Sequence, residues 1–255
     1  MQITADWLKE KSACHEGMKW FLKNFPEGGE YQAILDELAK ESRADYASWL
    51  IQNAGPINTV LEVEELTAEA SIFFAGQILV KGAITVTKWL LAGEGIKAGW
   101  GIKAGKGIKA GWGIEAGKRI EAGGGIEAGE GIEAGEGIKA GEGIEAGEGI
   151  KAGEGIEAGW GIKAGTGIKA GTGIKAGWGI EAGWGIKAGE GIKAGEGIKA
   201  GTGIEAGWGI EAGEDYGIYA GLRLRLSLKS KYALVIATEE PKNLLLGKFK
   251  KVGEE

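Results

Sequence analysis

An array of six-residue repeats fills the middle of this 255-residue chain and limits its possible folds more than any other feature. Between Gly95 and Gly213, twenty consecutive units read Gly-Ile-Lys/Glu-Ala-Gly-x, with Arg119 replacing the first glycine of one unit. A period of six matches neither an α-helix nor a coiled coil. Aliphatic residues already recur at this spacing from Val60 onward, so the repeat is expected to begin before the perfect array.

Each unit has the pattern of a short strand followed by a corner. Ile and Ala are two residues apart, so in an extended strand they point to the same side, while the Lys or Glu between them points to water. The flanking glycines are expected to supply the backbone freedom that a sharp corner needs. Most of the 51 glycines of the chain lie in the array and follow its period of six, which excludes the period of three found in collagen. The array therefore predicts a β-solenoid with an Ile and Ala core.

The charges at the outward position predict the length of one coil. Stacked residues in neighbouring coils lie about 4.8 Å apart, where opposite charges attract. At a separation of 18 residues, 12 of 17 outward pairs are opposite in sign, against 8 of 18 pairs at a separation of 12. We therefore predict a mainly β fold, a three-sided β-helix with about 18 residues per coil and roughly eight to ten coils. The handedness of the winding stays open.

The chain divides into four predicted regions. Residues 1–55 have helical periodicity, with Thr4 as a helix cap, and predict a small α-helical head that packs on its neighbour because it is marginal in size. Residues 56–94 are the first coils, and residues 95–214 are the regular β-helix. Residues 215–255 are interpreted as C-terminal strands and a cap, since leucines alternate from Leu222 to Leu228 and the tail can cover the end of the solenoid.

Composition sets expectations for compartment and partners. The net charge of −6 gives no general case for attraction to nucleic acid or to a membrane. The lone Cys14 excludes an internal disulfide, which is typical of a reducing compartment. The start of the chain does not resemble a signal peptide, and no run of 18 apolar residues occurs. A soluble cytoplasmic protein is expected, in the host cell if the chain is phage-encoded.

The residues that could support catalysis are few. His15, the only histidine, follows Cys14 at the start of a helix, but adjacent helical residues do not face each other, so a catalytic dyad is not expected. Cys14 is interpreted as a core residue of the head. One His and one Cys cannot build a metal site of the usual spacing, and a Gly-x-Gly match inside a glycine array has no meaning as a phosphate loop. We expect no enzyme, no cofactor and no metal.

The sixth position of the repeat is the most informative surface feature. Six tryptophans occupy it, where the inward phase is already taken by Ile and Ala, and exposed aromatic residues in number predict a binding or oligomer interface. Stacking between Trp160 and Trp178, one coil apart, is a competing explanation. Arg223 and Arg225 are expected to project from a terminal strand towards a partner, with protection of a sheet edge as the alternative. The predicted partner-binding residues are Trp100, Trp112, Trp160, Trp178, Trp184, Trp208, Arg223 and Arg225.

Acidic residues at the same position form a run that includes Glu130, Glu136 and Glu142. Such a run could imitate a nucleic-acid backbone, but it wraps around the rod and residues 95–214 carry a net charge of only −3. A solvated, partly compensated surface is the preferred interpretation, so nucleic acid is not an expected partner except through mimicry or the basic C-terminal segment. No membrane partner is expected.

The array, with units such as GIKAGW, GIEAGE and GIKAGT after IFFAGQILVKGAITV, resembles the hexapeptide arrays of uncharacterised phage and prophage β-helix proteins. The N-terminal ITADWLKEKSACHEGMKWF is similar to the helical module that precedes such arrays. A weaker similarity links the chain to bactofilin-type β-helices, which lack this head. Hexapeptide-repeat acyltransferases differ, because their small inward residue precedes the aliphatic one and they need a catalytic histidine, which no array unit contains.

The resemblance implies no catalytic residues and suggests a phage accessory protein that acts on host machinery. The leading hypothesis is a non-enzymatic β-helix interaction protein that binds and modulates a host macromolecular complex, for example a defence system. The alternative is a self-assembling structural scaffold in which the rod is its own oligomer interface. A weaker third hypothesis is a relative of the acyltransferases without the catalytic histidine.

Overall fold

The computed structural model describes residues 1–224 and 226–254 of the chain. The N-terminal head contains two short antiparallel strands and four helices. Thr4 caps the first helix as predicted, since its hydroxyl oxygen accepts a hydrogen bond from the Trp7 amide at 3.2 Å. The elements of the head are β1 (Gln2–Ile3), α1 (Ala5–Glu10), α2 (His15–Asn24), β2 (Gly29–Glu30), α3 (Tyr31–Lys40) and α4 (Ala44–Ala54).

Cys14 is exposed, so the prediction that it lies in the core of the head is wrong. It is the N-cap of α2, where its Sγ accepts a hydrogen bond from the Gly17 amide at 3.3 Å. A capping residue must lie outside the first helical turn to reach a free amide, and this requirement holds Cys14 at the surface. The head is closed instead around Tyr31, whose hydroxyl donates to the Gly55 carbonyl at 3.1 Å. Burial raises the pKa of the Tyr31 hydroxyl.

The rest of the chain is a β-solenoid. The lead-in strands are β3 (Val60–Val63), β4 (Leu66–Ala68), β5 (Ile72–Phe74), β6 (Gln77–Val80), β7 (Ile84–Val86) and β8 (Leu90–Ala92). Nineteen strands of the array then run from the Ile to the Ala of successive units, from β9 (Ile96–Ala98) to β27 (Ile204–Ala206), followed by β28 (Ile210–Glu211). The last elements are β29 (Ile218–Tyr219), α5 (Leu226–Tyr232), β30 (Leu234–Ala237), β31 (Leu244–Leu246) and β32 (Lys248–Lys251).

These strands form three parallel sheets along the sides of the rod, which has about ten turns. We call them the first sheet (β3 to β32, 11 strands), the second sheet (β4 to β28, nine strands) and the third sheet (β5 to β31, ten strands). Each array strand pairs with the strand three units further along, for example Ile102 with Ile120. The predicted three-sided β-helix with about 18 residues per coil is therefore confirmed. The inward Ile and Ala side chains of the array are buried in one continuous core.

The corner glycines have a different role from the one predicted. None of those between 95 and 213, all of which the structure describes, lies in the left-handed region. A Cβ on Gly147, after the strand, would lie 1.9 Å from the Gly129 carbonyl oxygen of the previous coil. Glycine is needed there because stacked coils approach too closely for a side chain. The lead-in carries Ala75, Lys81 and Thr87 at this position, so the requirement arises from the packing of the regular coils.

The head packs against the third sheet at its N-terminal end. Phe73 and Leu91 are at the outward position of β5 and β8, yet each is only 2% exposed because it belongs to the core of the head. The side chain of Gln32 in α3 completes the junction, donating to the Phe73 carbonyl at 2.8 Å and accepting from the Ala75 amide at 3.0 Å. The amide group thus replaces a neighbouring strand along the outer edge of β5.

The C-terminal region differs from the prediction in two respects. The strand expected through Leu222 and Leu228 is not formed, because Leu226–Tyr232 is the helix α5. Gly221, at φ +80°, turns the chain out of the sheet, and the next residues of the solenoid core are Val235 and Ala237 in β30. The tail also does not close the rod, because β31 and β32 extend the third and first sheets and become their new outer strands. Within the described residues, no helix is both long and apolar enough to cross a bilayer.

Candidate partner-binding surface

All six tryptophans of the repeat lie at the corners of the rod with 48–63% of their surface exposed. They do not form one patch, because successive units place the sixth residue on successive edges. Trp100 and Trp208 lie on the edge between the first and second sheets. Trp160 and Trp178 lie on the edge between the second and third sheets, and the edge between the third and first sheets carries Trp112 and Trp184.

Four of the six tryptophans therefore border the third sheet, which also carries the head. On one of its edges the rings of Trp160 and Trp178 stack, with centroids 5.4 Å apart and planes 7° from parallel. The stacking predicted as a competing explanation is thus present for this pair. It leaves 48% and 53% of the two residues exposed, so the pair forms one enlarged aromatic surface.

A groove runs along the third sheet beside this edge. It has a volume of about 830 Å³ and lies between the corner residues and the outward Lys/Glu ladder, over glycines such as Gly143 that have no side chain. Aromatic residues line it along its length: Trp89 beside the head, Trp160 midway, and Tyr216 and Tyr219 at the C-terminal end. The groove crosses strands β11 to β29, about 29 Å at the usual spacing of paired strands.

This groove carries an excess of negative charge. Its lining contains six carboxylates (Glu127, Glu142, Glu145, Glu181, Glu196 and Asp215) and three ammonium groups (Lys109, Lys163 and Lys199). Lys163 donates to Glu145 at 3.1 Å, and this hydrogen bond, together with the nearby charge of Glu145, raises the pKa of the lysine. The corresponding groove of the first sheet has five acidic and five basic side chains, and that of the second sheet five and four. The third sheet is therefore the most acidic face of the rod.

The outward ladder shows the pairing that the charge pattern predicts. Seven Lys–Glu pairs join residues 18 positions apart at 2.5–3.3 Å, among them Lys139–Glu157 and Lys193–Glu211. All are at the surface, where an ion pair contributes about 0–1 kcal/mol. Their effect is mainly to compensate part of the charge along the faces, where like charges also stack, as at Lys151 and Lys169. The acidic run from Glu130 to Glu154 wraps around all three edges, as expected from its spacing.

Arg223 does not project from a strand face as predicted. Its amide donates to the Gly201 carbonyl at 3.0 Å, and its side chain lies against Gly183 and Gly201 at the corner that carries Trp184. Two of the predicted binding residues, Arg223 and Trp184, are thus brought to the same edge. Arg225 lies outside the described residues. Among the residues that the structure does describe, no group of three or more His, Cys, Asp or Glu could hold a metal ion.

A separate cavity of about 260 Å³ lies in the head. Its walls are mainly apolar and include Trp20, Phe21 and Tyr46. The Trp20 indole N–H donates to the Glu41 carboxylate at 2.9 Å, and the Arg43 guanidinium lies 5.0 Å from the centre of the Tyr46 ring. These rim contacts hold two aromatic walls of the cavity in place.

Several residues of this region were not singled out from the sequence. Phe73 and Leu91 interrupt the outward position, which is Lys or Glu throughout the array, and this interruption is the signal of a covered face. Trp89, Tyr216 and Tyr219 line the groove but lie outside the perfect repeat, so the pattern at the sixth position does not identify them. Their place beside Trp160 follows only from stacking the coils.

The comparisons with known proteins concern the head. The family model for the YdhT N-terminal domain matches residues 1–54, which are the strands and helices from β1 to α4. The match covers about a fifth of the chain and says what the head is similar to. No curated protein and no solved structure matches the chain.

Proposed function

We propose that this chain is a non-enzymatic interaction protein that binds a protein complex through the third sheet and its two edges. The observation that carries the proposal is the groove in which four aromatic side chains alternate with six carboxylates against three lysines. Trp and Tyr dominate binding energy at protein interfaces because they bury a large rigid surface at a small cost in side-chain entropy. In the groove, Trp160 and Tyr216 are exposed and Trp89 and Tyr219 are partly buried, which leaves aromatic surface accessible along one face of the rod.

The charge of the groove indicates the kind of partner. Carboxylates attract a basic segment and speed its approach, and lysine or arginine side chains of the partner can also lie over the indole rings. The groove crosses strands β11 to β29, about 29 Å, a length that an extended segment of about nine residues spans. We therefore propose a basic, extended segment of a partner protein as the ligand. The resemblance of the array to those of phage and prophage proteins supports a host complex as its source, and its modulation, including that of a defence system, as the outcome.

The rod supports binding in a second way, through its rigidity. The aromatic groups are attached to strands whose inward side chains are buried in the continuous core, so their positions relative to one another are set before a partner arrives. Prior ordering lowers the entropic cost of association. The head adds a broad surface at one end of the same face.

Replacing Trp160 and Trp178 together with alanine is expected to reduce capture of the partner from host-cell lysate at least tenfold. The reason is the loss of the largest exposed aromatic surface beside the groove, and hot-spot aromatic residues typically contribute about 2 kcal/mol or more. The measurement is quantitative mass spectrometry of proteins retained by the immobilised full-length chain. Both positions are exposed, so the variant is expected to keep its circular dichroism spectrum.

The matched control is the double substitution Trp100→Ala and Trp208→Ala, on the edge that does not border the third sheet. It should leave capture unchanged. Equal capture by both double variants would show that the third sheet is not the binding face. If the unaltered chain retains no protein above the level of an inert matrix, the interaction function itself is wrong.

A further inference from the structure

The outer strands at the two ends of the first sheet carry opposite charges. The first coil, residues 56–74, contains four glutamates and no Lys or Arg: Glu62, Glu64, Glu65 and Glu69. The last strands, residues 241–251, contain four lysines and no Asp or Glu: Lys242, Lys248, Lys250 and Lys251. Among these four glutamates, only Glu64 forms an ion pair within the described part of the chain; its carboxylate lies 2.7 Å from the ammonium group of Lys81. The two outer strands are thus complementary in charge, while Glu239, Glu240 and Glu254 beside β32 offset the net charge of the C-terminal end.

Both ends also leave a strand open on one side. β3 and β32 are the two outer strands of the first sheet, and each is paired with a neighbour on one side only. Leu61, Val63 and Phe249 point towards the core at these ends and are only partly buried. An outer strand with free backbone groups and half-covered apolar side chains can accept a further strand.

We propose that each end of the rod binds the opposite end of a second copy of this chain. Parallel pairing of β32 in one copy with β3 in the next continues the first sheet in its own register. Within one copy, Phe249 of β32 pairs with Val235 and Leu61 of β3 pairs with Ile78, and these side chains point towards the core. Continuing the same register between two copies places Phe249 of one copy opposite Leu61 of the next. Lys250 then lies opposite Glu62, at the outward position of the first sheet, where Lys187 and Glu205 already form an ion pair at 2.7 Å.

Charge decides between the possible arrangements of two copies. Pairing β3 with a second β3 would bring Glu62 and Glu64 of two copies together, and pairing β32 with a second β32 would bring two sets of Lys248, Lys250 and Lys251 together, so pairing of unlike strands is favoured. In the third sheet the edge of β5 is already occupied by Gln32. The second sheet ends at β28, whereas the first sheet continues through β30 to β32, so the strand pairing is placed in the first sheet. At the other end, the Glu254 carboxylate accepts from the Lys251 amide at 3.3 Å, and an incoming strand would displace it.

A head-to-tail contact does not close on itself, so association is open-ended. It uses a single strand pair and exposed charges, so it is weak and sensitive to salt. This inference is independent of the proposed binding groove, which lies on the side of the rod. Its failure would leave the groove unaffected, and the reverse also holds.

Sedimentation velocity of the full-length chain, over a range of concentrations at low and high salt, tests the proposal. At low salt the average mass should rise with concentration without levelling at a dimer, and 0.5 M NaCl should reverse most of the rise. Glu62→Lys and Lys250→Glu should each weaken association at least tenfold, and an equimolar mixture of the two variants should restore it. Lys169→Glu, a charge reversal in the middle of the same sheet, is the matched control and should behave like the unaltered chain.

A monomer under all conditions, a plateau at a dimer, or single variants that associate normally would each overturn the proposal.

Covalent capture gives a second measurement that does not depend on affinity. With Cys14 replaced by Ser, the substitutions Glu62→Cys and Lys250→Cys place two thiols on neighbouring strands only between different copies, at a separation within disulfide reach. Oxidation should give a ladder of dimers, trimers and larger species. Monomers alone after oxidation would contradict the pairing.

Discussion

Replacing Gly147 with alanine is expected to lower the stability of the solenoid by about 3 kcal/mol, whereas Gly143→Ala in the same repeat should change it by less than about 1 kcal/mol. The two glycines flank the same strand and look alike in the sequence. A Cβ on Gly147 would lie 1.9 Å from the Gly129 carbonyl oxygen, a contact with backbone that no side-chain rotation can relieve. At Gly143 the nearest atom is the Gly161 carbonyl oxygen at 3.5 Å, an ordinary contact.

Arg119 supports the distinction, since it occupies the position equivalent to Gly143 in another unit. Equilibrium unfolding in urea measures the effect, and hydrogen exchange of the neighbouring coils shows where it acts. Because each coil contacts only its neighbours, the faster exchange caused by Gly147→Ala should be centred on the coils containing Gly129 and Gly147. Equal stabilities of the two variants would mean that the corner glycines serve backbone freedom and not the close approach of coils.

Replacing Leu91 with lysine is expected to detach the head from the rod, at a cost of about 3 kcal/mol. The substitution gives β8 the outward residue that the array has at most positions. Leu91 is 2% exposed between the third sheet and the head, so the change removes a buried apolar contact and places an ammonium group there without a partner. Hydrogen exchange should show faster exchange in α1 to α4, because a head of this size is marginal without its contact surface.

Leu79→Lys is the matched control for this variant. Leu79 has the outward position on the first sheet, outside the two buried cores, and is only partly buried. Its replacement should leave exchange in the head unchanged and cost less than about 1 kcal/mol. If Leu91→Lys leaves the head as protected as before, the head is stable without the rod, and the apolar patch at Phe73 and Leu91 does not hold the two together.

The parts of this fold that could be predicted are those set by repetition. One unit determines which side chains are buried, and the Lys/Glu order along the outward position determines how many units make a coil, because like charges one coil apart repel. The exposed tryptophans could be predicted for the same reason. The edge on which each tryptophan lies follows from the coil length together with its place in the repeat. Stacking the coils in this way shows that four of the six tryptophans border one face.

The rest of the fold depends on contacts of segments outside the repeat, and the six-residue period does not determine those contacts. Cys14 has a position that suits both a core residue and a helix cap, and only the free amide of Gly17 decides between them. The leucines from Leu222 to Leu228 alternate as in a strand, but the sheets at this end are continued by later segments, so the sequence there forms a helix, for which Leu and Lys have a high propensity. The groove on the third sheet joins the array to Trp89 and Tyr219, which lie on either side of it.

The uniform stacking of the coils also fixes how the length of this protein can change. Three units make one full turn, so gaining or losing 18 residues alters the rod by about 4.8 Å and leaves the head and the C-terminal segment facing as before. Gaining or losing a single unit would rotate one end by a third of a turn relative to the other and move every later strand to the next sheet. Near-identical repeats therefore act as interchangeable spacers only in groups of three, and any other number would redirect one end of the molecule.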